Sequence, residues 1–248
     1  YHSSNPAVAE VNGSNLIIRG AGAAIVTASQ GGNANFDAAS ERNATVHVDK
    51  AVLAVVAHDA SKAYLGAMPA LTYHLEGFVH DENATVLTTQ PSIEANATAA
   101  SPAGVYAITV SGGTAANYHF SHQNAVLHVG EGSQAINFVD ELNATYGQVP
   151  IALEGNATSG LAVSYHSSNP AVAEVNGSNL IIRGAGAAIV TASQGGNANF
   201  DAASERNATV HVDKAVLAVV AHDASKAYLG AMPALTYHLE GFVHDENA

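Results

Sequence analysis

The sequence predicts an all-β chain built from tandem β-sandwiches. Three observations carry that expectation. Apolar residues alternate with polar ones at period two, turn-forming residues recur at short spacing, and residues 1–84 return without a substitution as residues 165–248, a shift of 164 positions. Alternation at period two places one set of side chains on each face of a strand. Leu53, Val55 and Ala57 alternate with Ala54, Val56 and His58; Tyr106, Ile108 and Val110 alternate with Ala107, Thr109 and Ser111; Leu127 and Val129 flank His128. No segment sustains a helical apolar stripe. Asn5-Pro6, Asn12-Gly13, Gly31-Gly32, Ser101-Pro102 and Gly112-Gly113 are expected to supply the turns between strands.

Composition fits thin sandwiches. Of 248 residues, 48% are apolar but only 6% aromatic, and Cys and Trp are absent. Without Cys there are no disulfides, thiolate zinc sites or thiol nucleophiles, so packing must supply the stability. The net charge of −13 argues against nucleic acid as a partner, because phosphate binding needs clustered Lys and Arg. The 120 residues between Lys62 and Arg183 contain neither. No apolar run is long enough to span a membrane, and residue 1 opens into polar sequence with no signal-peptide pattern. An export signal is expected to lie outside this segment.

The exact repeat sets the expected domain boundaries. Residues 1–49 form the C-terminal part of one sandwich, 50–131 a complete second type, 132–213 a complete sandwich of the first type, and 214–248 the N-terminal part of the next. Partial sandwiches leave unpaired edges, which must pair with neighbouring repeats or across subunits.

Particular residues carry a family resemblance. The stretch 165–214 contains Ser-Ser-Asn-Pro-Ala-Val-Ala from Ser167, Gly-Ala-Gly from Gly184 and Gly-Asn-Ala-Asn-Phe from Gly196. It resembles bacterial immunoglobulin-like repeats of the group 2 type. The run from Tyr64 to Tyr73, Leu75-Glu-Gly-Phe, the stretch from Ala99 to Val110 and Ser111-Gly-Gly-Thr-Ala-Ala-Asn-Tyr resemble the Gly-rich, mostly-β domains known as MBG. The resemblance implies tandem Ig-like β-sandwiches of a large, adhesin-like surface protein. One departure stands out: Leu65 separates Tyr64 from Gly66, whereas Tyr146 and Gly147 are adjacent. A cluster of Tyr64, Gly66 and Pro69 in one domain and of Tyr146, Gly147 and Pro150 in the other suggests that both descend from one sandwich.

Asn-x-Ser/Thr triplets begin at Asn12, Asn43, Asn83, Asn96, Asn143, Asn156, Asn176 and Asn207. Six lie in the unique 164 residues, which hold thirteen Asn; composition alone gives about two such acceptors. Dense covalent N-linked glycosylation, and with it an extracellular or cell-surface location, is therefore expected.

Specific chemistry is poorly supported. His119 and His122, three apart on a strand, point to opposite faces, so the region around His128 is no metal cluster. Calcium is the better metal candidate, with Asp81, Glu82, Asp140 and Glu141 as weak oxygen ligands, although no loop has Asp-x-Asp-x-Asp spacing. Gly-x-Ser-x-Gly is absent, and Gly20-Ala-Gly22 stands between strands rather than before a helix, so neither an acyl-transfer enzyme nor a phosphate cradle is expected. Ile17, Ile25 and Val126 are expected on outward faces, beside the inward series Leu16, Ile18, Ala24, Val26, Leu127 and Val129. They are candidates for a self-association surface. The sequence thus leads to a non-enzymatic, glycosylated structural polymer, a fibre, filament or stalk. The alternative is an adhesin-type module recognising a glycan or protein receptor.

Overall fold

The computed structural model describes residues 1–244. The chain divides into two compact units, Tyr1–Gly130 and Glu131–Ala248. All long elements are strands; the one helical turn among the described residues is the 3-10 segment Ala84–Val86, whose first turn is capped by Asn83.

In the first unit, residues 51–130 form two sheets. Ala51–Ala57 lies between Tyr118–Gln123, which runs parallel to it, and Tyr73–Glu76, which runs antiparallel. The second sheet has the order Ala60–Ala63, Ala125–Gly130, Gly104–Ala115, Leu87–Ala95. Alternation directs Val55, Ala57, Ile108, Val110, Leu127 and Val129 into one core, while Leu53, Ala115 and Tyr118 form a second cluster. Leu53, Ile108 and Leu127 are fully buried, each contributing about 1.5–3 kcal/mol from burial.

In the second unit, Glu141–Thr145, Arg206–Asp213, Gly186–Ser193 and Ser164–Ser167 form one sheet in that order. Ile151–Ala152, Asn179–Ile182 and Ala173–Asn176 form the facing one. Leu180, Ile182, Val190 and Val210 fill the space between them, with Leu153 and Ala144 beside them. The short pair Ile136–Asn137 and Asn156–Ala157 lies ahead of these sheets, and Ala218–Ala221 pairs with Tyr237–Glu240 beyond them.

Gly112-Gly113 is not a turn. Both residues lie inside the strand Gly104–Ala115, at φ +69° and +86°, next to a register shift between Thr114 and Ala115. Pairing with Leu87–Ala95 runs unbroken past them, with Gly112 opposite Pro91 and Thr114 opposite Thr89, so two residues without Cβ let the strand continue through left-handed backbone conformations. A Cβ on Gly113 would sit 2.7 Å from the Phe120 ring. Gly13, by contrast, opens a two-residue hairpin loop between Asn12 and Asn15 at φ +61°, as the Asn-Gly pair suggests.

The Tyr-Gly comparison also needs revision. The Tyr64 N–H donates to Gly130 O at 2.8 Å and that of Tyr146 to Asp213 O at 2.9 Å; the Gly66 N–H then donates to Ala63 O and that of Gln148 to Thr145 O, both at 3.0 Å. By hydrogen bonding, Leu65 occupies the position of Gly147 and is no insertion. Gly147 has φ +90° and Leu65 φ +59°. Leu65 therefore holds a left-handed conformation that costs a residue with a Cβ about 1–2 kcal/mol.

Identical sequence reaches different burial in the two units. Leu180 and Ile182 are 0% and 1% exposed, whereas Leu16 and Ile18 are 41% and 44% exposed. The difference lies in the strands Glu141–Thr145 and Ile151–Ala152, which pair with Arg206–Asp213 and Asn179–Ile182. No strand holds the corresponding place beside Ala39–Val48 or Asn15–Ile18 among the described residues. The inward series Leu16, Ile18 and Val26 is thus inward in pattern but partly uncovered.

Candidate functional site

All eight sequon asparagines are exposed. Asn43 and Asn207 project from the outer faces of Ala39–Val48 and Arg206–Asp213, where their Oδ1 atoms accept from Thr27 and Thr191 hydroxyls at 2.8 Å. Asn143 stands on the outer face of the strand next to that of Asn207. Asn12 and Asn176 end hairpin strands. Asn83 caps the short helical turn, its Oδ1 accepting from Thr85 N–H at 3.0 Å. Asn96 follows the strand Leu87–Ala95, and Asn156 begins Asn156–Ala157. No side-chain amide needs to be uncovered before modification.

The candidate assembly residues do not form one face. Ile17 lies on the hairpin sheet opposite Glu10, Ile25 on the facing sheet opposite Thr45, and Val126 on the sheet centred on Gly104–Ala115 and Ala125–Gly130. Outward positions on two facing layers of a sandwich point away from each other, which sequence alternation within single strands does not reveal. Ile25 is exposed, whereas Ile17 and Val126 are half-buried.

The candidate calcium ligands have protein partners or stand apart. Glu82 accepts a short hydrogen bond from the Tyr118 hydroxyl, which also accepts from Val79 N–H at 3.0 Å. Burial raises the Tyr118 phenol above its ordinary pKa, and the bond to Glu82 adds to the rise. Asp140 receives Arg206 Nη2 at 2.9 Å, and Glu141 lies 3.8 Å from His211 Nε2. Asp81 is an exposed residue at φ +58°. Among the described residues no three His, Asp or Glu side chains converge as a metal-binding group.

Two groupings escaped the sequence reading. His58 Nδ1 meets Thr72 Oγ1 at 2.9 Å, His58 Nε2 meets His74 Nδ1 at 2.7 Å, and His74 Nε2 meets Glu76 Oε1 at 2.7 Å. The same row recurs as Thr236, His222, His238 and Glu240. His74 and Glu76 share a strand face by their i, i+2 spacing, a signal present in the sequence; their pairing with His58 depends on register.

The second grouping is Glu131 with Asp201. A hydrogen bond to Asp201 raises the Glu131 carboxyl above the ordinary glutamate range, with desolvation and the like charge acting in the same direction. A raised carboxyl stabilises the fold fully below the unfolded-state value and loses that contribution as pH rises through the folded value. Glu131→Gln is therefore expected to flatten the fall of the thermal midpoint as pH rises from the ordinary glutamate range. A pH series of melting curves on both proteins checks this.

The open face of residues 1–49 is a groove of about 250 Å³, lined by Tyr1, Val11, Leu16, Val26, Ala44 and Val46 among others. Its lining is mainly apolar.

With this geometry in view, the comparisons locate one family. Residues 53–128 match the MBG domain, YGX type. The MBG match falls within the pair of sheets built on Ala51–Ala57 and Gly104–Ala115, and the MBG segment holds the Leu65 turn. No curated protein matches the chain. Among solved structures, Drosophila N-cadherin EC1-4 is similar at 11% identity and a TM-score of 0.28, over 80% of this chain and 60% of that one. Sidekick-1 immunoglobulin domains 1-5 are similar at 13% identity and a TM-score of 0.31, over 95% of this chain and 57% of that one. This chain therefore spans less than two thirds of either structure. The all-β assignment rests on the strand pairing above rather than on these likenesses. No helix among the described residues is long and apolar enough to cross a membrane.

Proposed function

We propose that this chain is a section of an extracellular, N-glycosylated tandem-repeat polymer serving as a surface fibre, filament or stalk, with a mechanical rather than catalytic role. The observation that carries the reading is the exposure of all eight sequon asparagines, including Asn12 and Asn43 and their copies Asn176 and Asn207. Two further features support it. Exact recurrence of 84 residues at a spacing of 164 suits a molecule whose length scales with copy number. Dispersed acidic residues keep neighbouring modules soluble without focusing charge on a binding site.

Glycopeptide mass spectrometry on native material tests the proposal. Elastase should replace trypsin, because Lys and Arg are missing between Lys62 and Arg183. Hexose-containing adducts at Asn43, Asn83, Asn96, Asn143 and Asn156 are the expected result. Unmodified asparagines throughout would remove the extracellular argument and leave the adhesin-type binding module as the reading to pursue.

A further inference from the structure

We propose that the module of residues 51–130 is fixed to the module before it by a two-point coupling, which holds successive modules in one orientation where a bare linker would let them swing. The inference rests on the tandem-repeat reading above only for its extension along an array. The connection itself is short: the strand Ala39–Val48 ends two residues before Ala51–Ala57 begins. Modules joined by a linker move relative to each other unless further contacts hold them. The first contact is Asn117, half-buried in the turn ahead of Tyr118–Gln123. Its Oδ1 accepts from Ala21 N–H at 3.0 Å, and its main-chain carbonyl accepts from Ala51 N–H at 2.9 Å. One residue thus ties the far end of the linker and the turn Gly20-Ala21 of the preceding module to the same point. A Cβ on Gly20 would stand 3.1 Å from Asn117 Oδ1, so glycine there permits the approach. Lys50, within the linker, donates from Nζ to Ala115 O at 3.2 Å.

The second contact stands at the next junction of the same kind. There the turn Tyr146-Gly147 meets Val243 and His244: the Tyr146 and His244 rings lie 5.3 Å apart, and a Cβ on Gly147 would stand 2.5 Å from Val243 Cγ1. Shifted by 164 residues, Val243 and His244 are Val79 and His80. That loop is fastened beside Asn117, because the Tyr118 hydroxyl accepts from Val79 N–H at 3.0 Å and donates to Glu82. The following module therefore presents both contacts from one braced end. The preceding module receives them at two turns, Gly20-Ala21, which recurs as Gly184-Ala185, and Tyr146-Gly147. The second glycine also makes the coupling selective. Leu65 holds the position of Gly147 in residues 51–130 and is 58% exposed, so a side chain stands there in the space that Val243 takes above Gly147. The Gly147 turn accepts a module of the 51–130 type, and the Leu65 turn rejects it.

The chain has no Cys, so spin labels on introduced cysteine pairs read each junction of the full chain separately. Glu41→Cys with Ser121→Cys reports on the first and Glu205→Cys with Val219→Cys on the second, all at exposed positions. Pulsed dipolar spectroscopy should give one narrow distance distribution for each pair. Asn117→Ala is expected to broaden the first and Gly147→Leu the second, each by about twofold or more, because a freed linker samples many orientations. Val243→Ala removes the second contact without touching the Tyr146-Gly147 turn and should broaden the second distribution as well, so a folding failure of Gly147→Leu leaves that readout in place. Melting curves identify the variants whose cores remain intact. A distribution already broad in the parent, or one that any of these folded variants leaves unchanged, overturns the coupling. Narrow distributions in protein with bare asparagines would count against the glycosylated-polymer reading alone, and broad ones in glycosylated protein against the coupling alone.

Discussion

Leu180→Ala is expected to destabilise the second unit by about 3 kcal/mol, whereas Leu16→Ala, the same substitution in the same local sequence, should cost less than about 0.5 kcal/mol. Leu180 is fully buried among Ile182, Val190, Val210 and Leu153, so truncation leaves a cavity that the two sheets close only in part. Leu16 is 41% exposed, and the volume it would vacate is continuous with solvent. Denaturant unfolding of the two variants, with hydrogen exchange assigning the loss to its unit, measures both values. Equal costs would mean that the strands Glu141–Thr145 and Ile151–Ala152 do not provide the difference in burial. This pair is informative because propensity, neighbours and turn chemistry are held constant by the repeat.

Gly77→Ala is the second large effect, with an expected loss of about 2 kcal/mol or more. Gly77 follows the strand Tyr73–Glu76 at φ +106°, and a Cβ there would stand 2.5 Å from Val52 O and 3.7 Å from Leu53 Cα. Backbone on both sides must move, which disturbs the pairing of Ala54 with Glu76 and the burial of Leu53. Gly31→Ala is the control. A Cβ at Gly31 meets nothing within 4 Å, so its effect should stay within about 0.5 kcal/mol. Thermal unfolding of the two variants against the parent separates steric demand from the general loss of a glycine.

Much of this was legible in the sequence because alternation fixes which side of a strand is apolar. Leu53, Val55, Ile108, Val110, Leu127 and Val129 are buried as their pattern requires. What alternation leaves open is which strands share a sheet. Ile17, Ile25 and Val126 satisfied a one-strand criterion, yet stand on three sheets. Gly112-Gly113 has the composition of a turn, but a glycine pair can also lie within a paired strand, and only the partner strand Leu87–Ala95 decides between them. Sequence spacing aligns Gly66 with Gly147 and leaves Leu65 as a departure; the backbone hydrogen bonds align Leu65 with Gly147 instead. The exposed sequons were found by motif, whereas the row through His58, His74 and Glu76 needed cross-strand register.

The parallel strand pairs also determine how the sandwiches bear tension. Glu141–Thr145, early in its domain, runs parallel to Arg206–Asp213 at the end of it, and Ala51–Ala57 and Ala60–Ala63 run parallel to Tyr118–Gln123 and Ala125–Gly130. Pulling on the two ends of such a domain slides the paired strands along each other, so their hydrogen bonds are loaded together in shear instead of being peeled apart one by one. Rupture then requires several bonds to fail at once, and resistance to force is governed by the rate of unfolding rather than by equilibrium stability. A chain of these modules would yield in discrete steps, one clamp at a time, and lengthen before it breaks.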